Sequence, residues 1–165
     1  MRLTTLICFF IFQSCVSQKP IVYKNSALNQ AEIIQTYLAA EKAFKENTNC
    51  QPLITTLMVI DCPISQINGN LFSFVGNNIP VAIGMYNLDN KIIYLLDSHP
   101  DKSRVLFHEI LHLLFDSSEC NINVNSQHFI IGRLVKDYLK ITGRKELTYE
   151  WLDKAINEYL ASLSK

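Results

Sequence analysis

Neither sign of charge is in excess in this chain, and that absence removes a class of functions. Its 165 residues carry 15 basic and 15 acidic side chains, for a formal net charge of zero. A nucleic-acid surface needs a basic excess or a basic stripe, so no nucleic-acid partner is expected. Runs of like charge are missing too, which excludes an acidic or basic tail. The sequence has no internal repeat and no low-complexity tract. Beyond the first residues, no apolar stretch reaches the roughly 20 residues of a membrane-spanning helix. Cysteine is scarce. Cys8 and Cys15 fall near the N-terminus, which leaves Cys50, Cys62 and Cys120. Their spacing matches no zinc-knuckle pattern, and an odd number leaves at least one outside any intrachain bridge. Cys50 and Cys62 bracket a short segment and could pair; buried thiols are the equal alternative.

What is present begins with a distinct N-terminal segment. Met1-Arg2 is a short positive start, Leu3 to Phe12 is apolar apart from two Thr, and small residues follow around Ser14, Cys15 and Ser17. This is the shape of a secretory signal peptide. The expected division is a signal peptide over residues 1–17 and one domain over 18–165, in an extracytoplasmic protein, secreted or held in the cell envelope. Phe12-Gln13-Ser14-Cys15 is a loose lipobox, so lipid attachment at Cys15 is the alternative. A hydrophobic fraction of 48% suits a globular domain with a sizeable core.

The chemistry concentrates in Val105-Leu106-Phe107-His108-Glu109-Ile110-Leu111-His112-Leu113-Leu114-Phe115. His108 and His112 are four apart. On a helix they share a face, one turn from each other, and both rings can point at one ion. Glu109 follows the first histidine, where its carboxylate can take a proton from a metal-bound water. Every other residue of this run is apolar, and such a helix is buried. Three polar groups on it are costly unless something satisfies them, and zinc would do so.

The flanks sharpen the pattern. Val105 stands three before the first histidine, Leu106, Ile110, Leu111 and Leu113 are uncharged, Leu114 is hydrophobic, and proline is absent. The segment therefore resembles the zinc-peptidase signature of the zincins. That resemblance implies a twisted sheet over the motif helix, with an edge strand along the cleft. It also implies three protein ligands to zinc and one position left for water. His128 is the first candidate for the third ligand. It lies beyond a polar loop over residues 116–126, and in sprT-like metalloproteases a third histidine also follows such a loop. The chain departs from that group in having no glycine beside His128. Asp116, four after His112, and Glu119 are the other candidates. The metzincin continuation is absent, since Phe115 and Ser118 stand where its glycine and third histidine would be. His99 reads as a surface residue. Tyr138 and Tyr149 are candidate donors to an oxyanion, with packing as the plainer role.

Periodicity gives the surroundings. A helix is predicted over Ala27 to Lys45 with Ser26 as cap, after an extended lead-in from Lys19 to Lys24. Strands are predicted over Leu53 to Ile60, Leu71 to Val75, Val81 to Tyr86 and Lys91 to Leu96, as a small sheet built from hairpins. The motif helix follows, capped by Asp101 or Ser98. A further helix spans Gln127 to Ile141 and stops at Gly143, and a last one starts at Thr148. The fold class is α+β: an N-terminal helix, a small, mostly antiparallel twisted sheet over the motif helix, and C-terminal helices. The expected function is zinc-dependent hydrolysis of a peptide or protein substrate. The alternative is a secreted binding protein on the same scaffold that holds zinc without turnover.

Overall fold

Helix formation starts where the local hydrogen bonds close. In the computed structural model, residues 20–52, 54–63, 83–118, 122–145 and 161 are described. Helix α1 spans Gln30–Thr48. The Asn29 side chain accepts from the Glu32 N–H at 2.9 Å, and the Glu32 carboxylate accepts from the Asn29 N–H at 2.9 Å. This capping box satisfies two amides the helix would leave unpaired. Ser26 is therefore not the cap. Its hydroxyl donates to Asp61 at 2.6 Å instead, and the helix starts three residues later than its periodicity predicts. Ile33, Tyr37, Ala40 and Phe44 form the buried stripe, at helical spacing.

Strand β1 (Ile21–Asn25) precedes α1, and β2 (Thr56–Cys62) follows it. The two pair in parallel, Ile21 opposite Thr56 through Asn25 opposite Ile60. A parallel pair needs a crossover, which α1 supplies. Strands β3 (Gly84–Asn87) and β4 (Ile92–Leu96) form the predicted hairpin. Its turn is closed by the Asn87 side chain accepting from the Asn90 N–H at 3.1 Å. The sheet order is β1-β2-β4-β3, with β2 and β4 parallel and β3 antiparallel to β4. The sheet is mixed, and this corrects the expectation of a mostly antiparallel one. The difference lies in two parallel pairings, β2 with β4 and β1 with β2, and the sequence presents β1 only as a lead-in. It is an edge strand with mostly exposed side chains, so it carries no alternation to read.

Helix α2 (Lys102–Ser117) carries the motif, and the Asp101 side chain caps it by accepting from the Arg104 N–H at 3.1 Å. It lies among α1, the β3–β4 hairpin and α3 (Val124–Thr142). Phe115 meets Phe44 of α1 edge to face at 4.9 Å, and Phe107 stacks on Tyr138 of α3 at 4.2 Å. Its apolar side chains from Val105 to Phe115 are all buried, as an apolar run demands. Helix α3 is capped by Asn123 and ends at Gly143, whose φ of 66° is the left-handed geometry glycine tolerates.

The α+β class stands: three helices and a four-stranded sheet among the described residues. No helix among those residues is long and apolar enough to cross a membrane. The expected strand at 71–75, the last helix from Thr148 and the N-terminal segment with Cys15 lie outside the described residues. Two local expectations are corrected. Cys62 is a free, buried thiol and Cys50 is bonded elsewhere, in a disulfide whose other half lies outside the described residues, so the two do not pair. His99 is 4% exposed, not a surface residue. Its Nδ1 accepts from the Asp101 N–H at 3.0 Å, and burial pushes its pKa down to about 4.

Candidate metal centre

One helical turn brings the two motif histidines together. Their Nε2 atoms are 3.1 Å apart and their ring centroids 4.8 Å. Two zinc–nitrogen bonds of about 2.0–2.1 Å, at a tetrahedral angle, would set the nitrogens roughly 3.3 Å apart. The observed spacing is close to that. Burial pushes both pKa values down to about 4. For His108 the proximity of His112, His128 and Arg104 adds to the effect. For His112 the charge of His128 adds, and Asp116 opposes. Both rings are therefore neutral at pH 7, the form with a lone pair to give.

His128 joins them from the first turns of α3. Its ring centroid is 4.7 Å from that of His112, at an interplanar angle of 63°. The three histidines singled out from the sequence thus stand in one cluster, with His112 at its centre. Among the described residues no group of three or more His, Cys, Asp or Glu side chains is closed around one point. The convergent pair is His108–His112, and His128 stands one ring contact away.

Glu109 is 7% exposed, and burial alone pushes its pKa up to about 8. It lies between α2 and β3, where Gly84 comes so close that a Cβ there would sit 2.8 Å from Glu109 Oε1. The backbone of β3 thus forms one wall of the carboxylate's site, and the wall exists because residue 84 has no side chain.

Asp116 turns elsewhere. Tyr86 of β3 donates its hydroxyl to Asp116 Oδ2, and the buried Gln127 approaches Oδ1 with Nε2 at 3.4 Å. Glu119 lies outside the described residues, as does Tyr149. Tyr138 is packed on Phe107 in the core. Sequence reasoning missed Gly84, Tyr86 and Gln127. Gly84 and Tyr86 are two apart on β3 and so share a face, but nothing local in the sequence ties that face to the histidines. The ring of Tyr86 stacks on His112 at 5.6 Å and 5°.

The donor set suits a borderline cation such as zinc: two neutral imidazoles converging, a third alongside and a carboxylate one residue from the first. Compared with protein-family models, curated proteins and solved structures, the chain matches none.

Proposed function

We propose that this chain is a small zinc-dependent peptidase of the zincin type. His108, His112 and His128 hold the ion, and Glu109 is the general base. The observation that carries the reading is the 3.1 Å approach of two neutral imidazole nitrogens on a helix whose Glu109, the residue after His108, is a buried carboxyl group. An antiparallel edge strand lying along the motif helix supports the zincin arrangement.

A zinc ion there would lower the pKa of its water toward neutrality and polarise the substrate carbonyl. Glu109 would accept a proton from the attacking water and deliver it to the leaving amine. The low exposure of Glu109 strengthens its electrostatic interactions. His108 and His112, anchored on a helix packed on several sides, hold their nitrogens in place without a loop to order. The substrate class is a peptide or protein. The signal-peptide pattern of residues 1–17 supports action outside the cytoplasm, by a secreted or envelope-bound enzyme.

A second reading, a zinc-containing binding protein without turnover, is favoured by the open relation of His128 to the other two histidines. Elemental analysis separates these readings from their common failure. Residues 18–165, purified without chelator or metal-affinity tag, should carry about one zinc per chain. Absence of metal after incubation with zinc would end both. With zinc present, Glu109→Gln should keep the metal and lose hydrolysis of a peptide library. A wild-type protein that binds zinc and cleaves nothing would favour the second reading.

A further inference from the structure

A histidine that binds a metal is ordinarily oriented by a hydrogen bond from its other ring nitrogen. Among the described residues His112 has no such partner, and its one polar ring contact there is with His108 Nε2. What fixes the ring instead is a face. Tyr86 lies parallel to it, 5.6 Å away, while His108 and His128 meet it at 64° and 63°. Tyr86 is itself held at its far end, where its hydroxyl donates to Asp116. Asp116 is then tied to the next helix. The Gln127 amide bridges its carboxylate and the Ile122 carbonyl, at 3.4 and 3.1 Å, directly beside His128.

We propose that Asp116 is a positioning residue and not a metal ligand: through Tyr86 it fixes the plane of His112, and through Gln127 it seats the turn that carries His128. The chain thereby joins three elements at one carboxylate. β3 contributes Tyr86, α2 contributes Asp116 and α3 contributes Gln127. Each brings or orients one side of the histidine cluster. Asp116 stands one turn past His112, the natural place for a third ligand on sequence grounds, and its two oxygens are instead turned to Tyr86 and Gln127.

The inference rests on the zinc reading, and its test separates the two. Zinc affinity is measured by competition with a chromophoric chelator, and site geometry by the ligand-field spectrum of the cobalt-substituted protein. Tyr86→Phe and Asp116→Ala delete the same hydrogen bond from opposite ends. Each should weaken zinc binding about 10- to 100-fold and shift the cobalt bands without abolishing them. The double variant should fall no further than the worse single one, because one strut cannot be broken twice. Circular dichroism of the metal-free variants checks the fold, and if Asp116→Ala fails to fold, Tyr86→Phe still reports on the bond. Unchanged affinity in both variants, or additive losses in the double, would overturn the inference. So would loss of all binding in Asp116→Ala with none in Tyr86→Phe, which would make Asp116 a ligand. Failure of the wild type to bind zinc at all would instead remove the metal reading, and this inference with it.

Discussion

Adding one methyl group at Gly84 should unseat the hairpin from the motif helix. A Cβ placed there lies 2.5 Å from Val105 Cγ1, 2.8 Å from Glu109 Oε1 and 2.9 Å from Glu109 Cγ. Carbon atoms in contact rest at about 3.5–4.0 Å, so the overlap with Val105 is roughly 1 Å or more. Val105 is β-branched and stiff within a helix, and Glu109 is buried against the strand. Neither can step aside cheaply, so β3 must lift. Overpacking of this kind costs about 1–3 kcal/mol. The lower chain entropy of alanine in the unfolded state returns about 0.4–1 kcal/mol. With overpacking in the upper half of that range, because neither neighbour yields, the net destabilisation is about 1–2.6 kcal/mol, a fall in Tm of about 2–10 °C for a domain of this size. Gly132 is the control. It lies in α3, and a Cβ there would meet nothing within 4 Å. Gly132→Ala should therefore stabilise by about 0.5–1 kcal/mol. Thermal unfolding followed by circular dichroism reads both. A Gly84→Ala Tm equal to or above wild type would mean that β3 does not lie against Val105 and Glu109, and the wall of the site would be lost with it.

Other predictions address the cluster, the core and pH. His128→Ala should weaken zinc affinity by orders of magnitude in chelator competition, and an unchanged affinity would send the search for a third ligand to Glu119. Phe115→Ala should cost about 3–5 kcal/mol in urea unfolding, because Phe115 is 1% exposed and packed on Phe44; a loss under about 1 kcal/mol would contradict that packing. His99 titrates at about 4 when folded and at about 6.5 when unfolded. Its folded pKa is depressed, so the stability it contributes is complete above about pH 6.5 and drains away as pH falls through about 4. The total is about 3 kcal/mol. His99→Gln should flatten the stability profile across that window, and an identical slope in the two proteins would count against the burial of this ring.

Legibility in the sequence followed the range of the interactions. Helix α2 could be read almost to its cap, with Asp101 and Ser98 as the two candidates, because eleven residues of burial pattern lie within the element and Asp101 stands directly before it. Gly143 as the stop of α3, and the turn between β3 and β4, were local in the same way. The misreadings are long-range. Ser26 reads as a helix cap until Asp61, 35 residues away, takes its hydroxyl. β1 reads as a lead-in until β2 supplies a parallel partner across the whole of α1. In the site, His108, Glu109 and His112 were legible because one helix fixes their relation. His128 was found by elimination, and its ring lies beside His112. Tyr86 carried no mark of its own, since only the sheet brings it onto His112.

The position of Glu109 bears on the choice between turnover and mere binding. A carboxyl group taken out of water loses hydration, and burial raises the pKa of Glu109 to about 8. The unfolded chain would ionise it freely at neutral pH, so the residue works against folding. Leucine or methionine at 109 would fill the same space without that cost. A scaffold that only held zinc would need His108, His112 and their partner, and would gain stability by giving up the carboxylate. The neighbouring strand removes a side chain at Gly84 to make room for this group, so two elements are adapted to it. A group that destabilises its own fold, seated one residue from a convergent histidine pair, is what a stability–activity trade-off produces. That weighs toward a catalytic base.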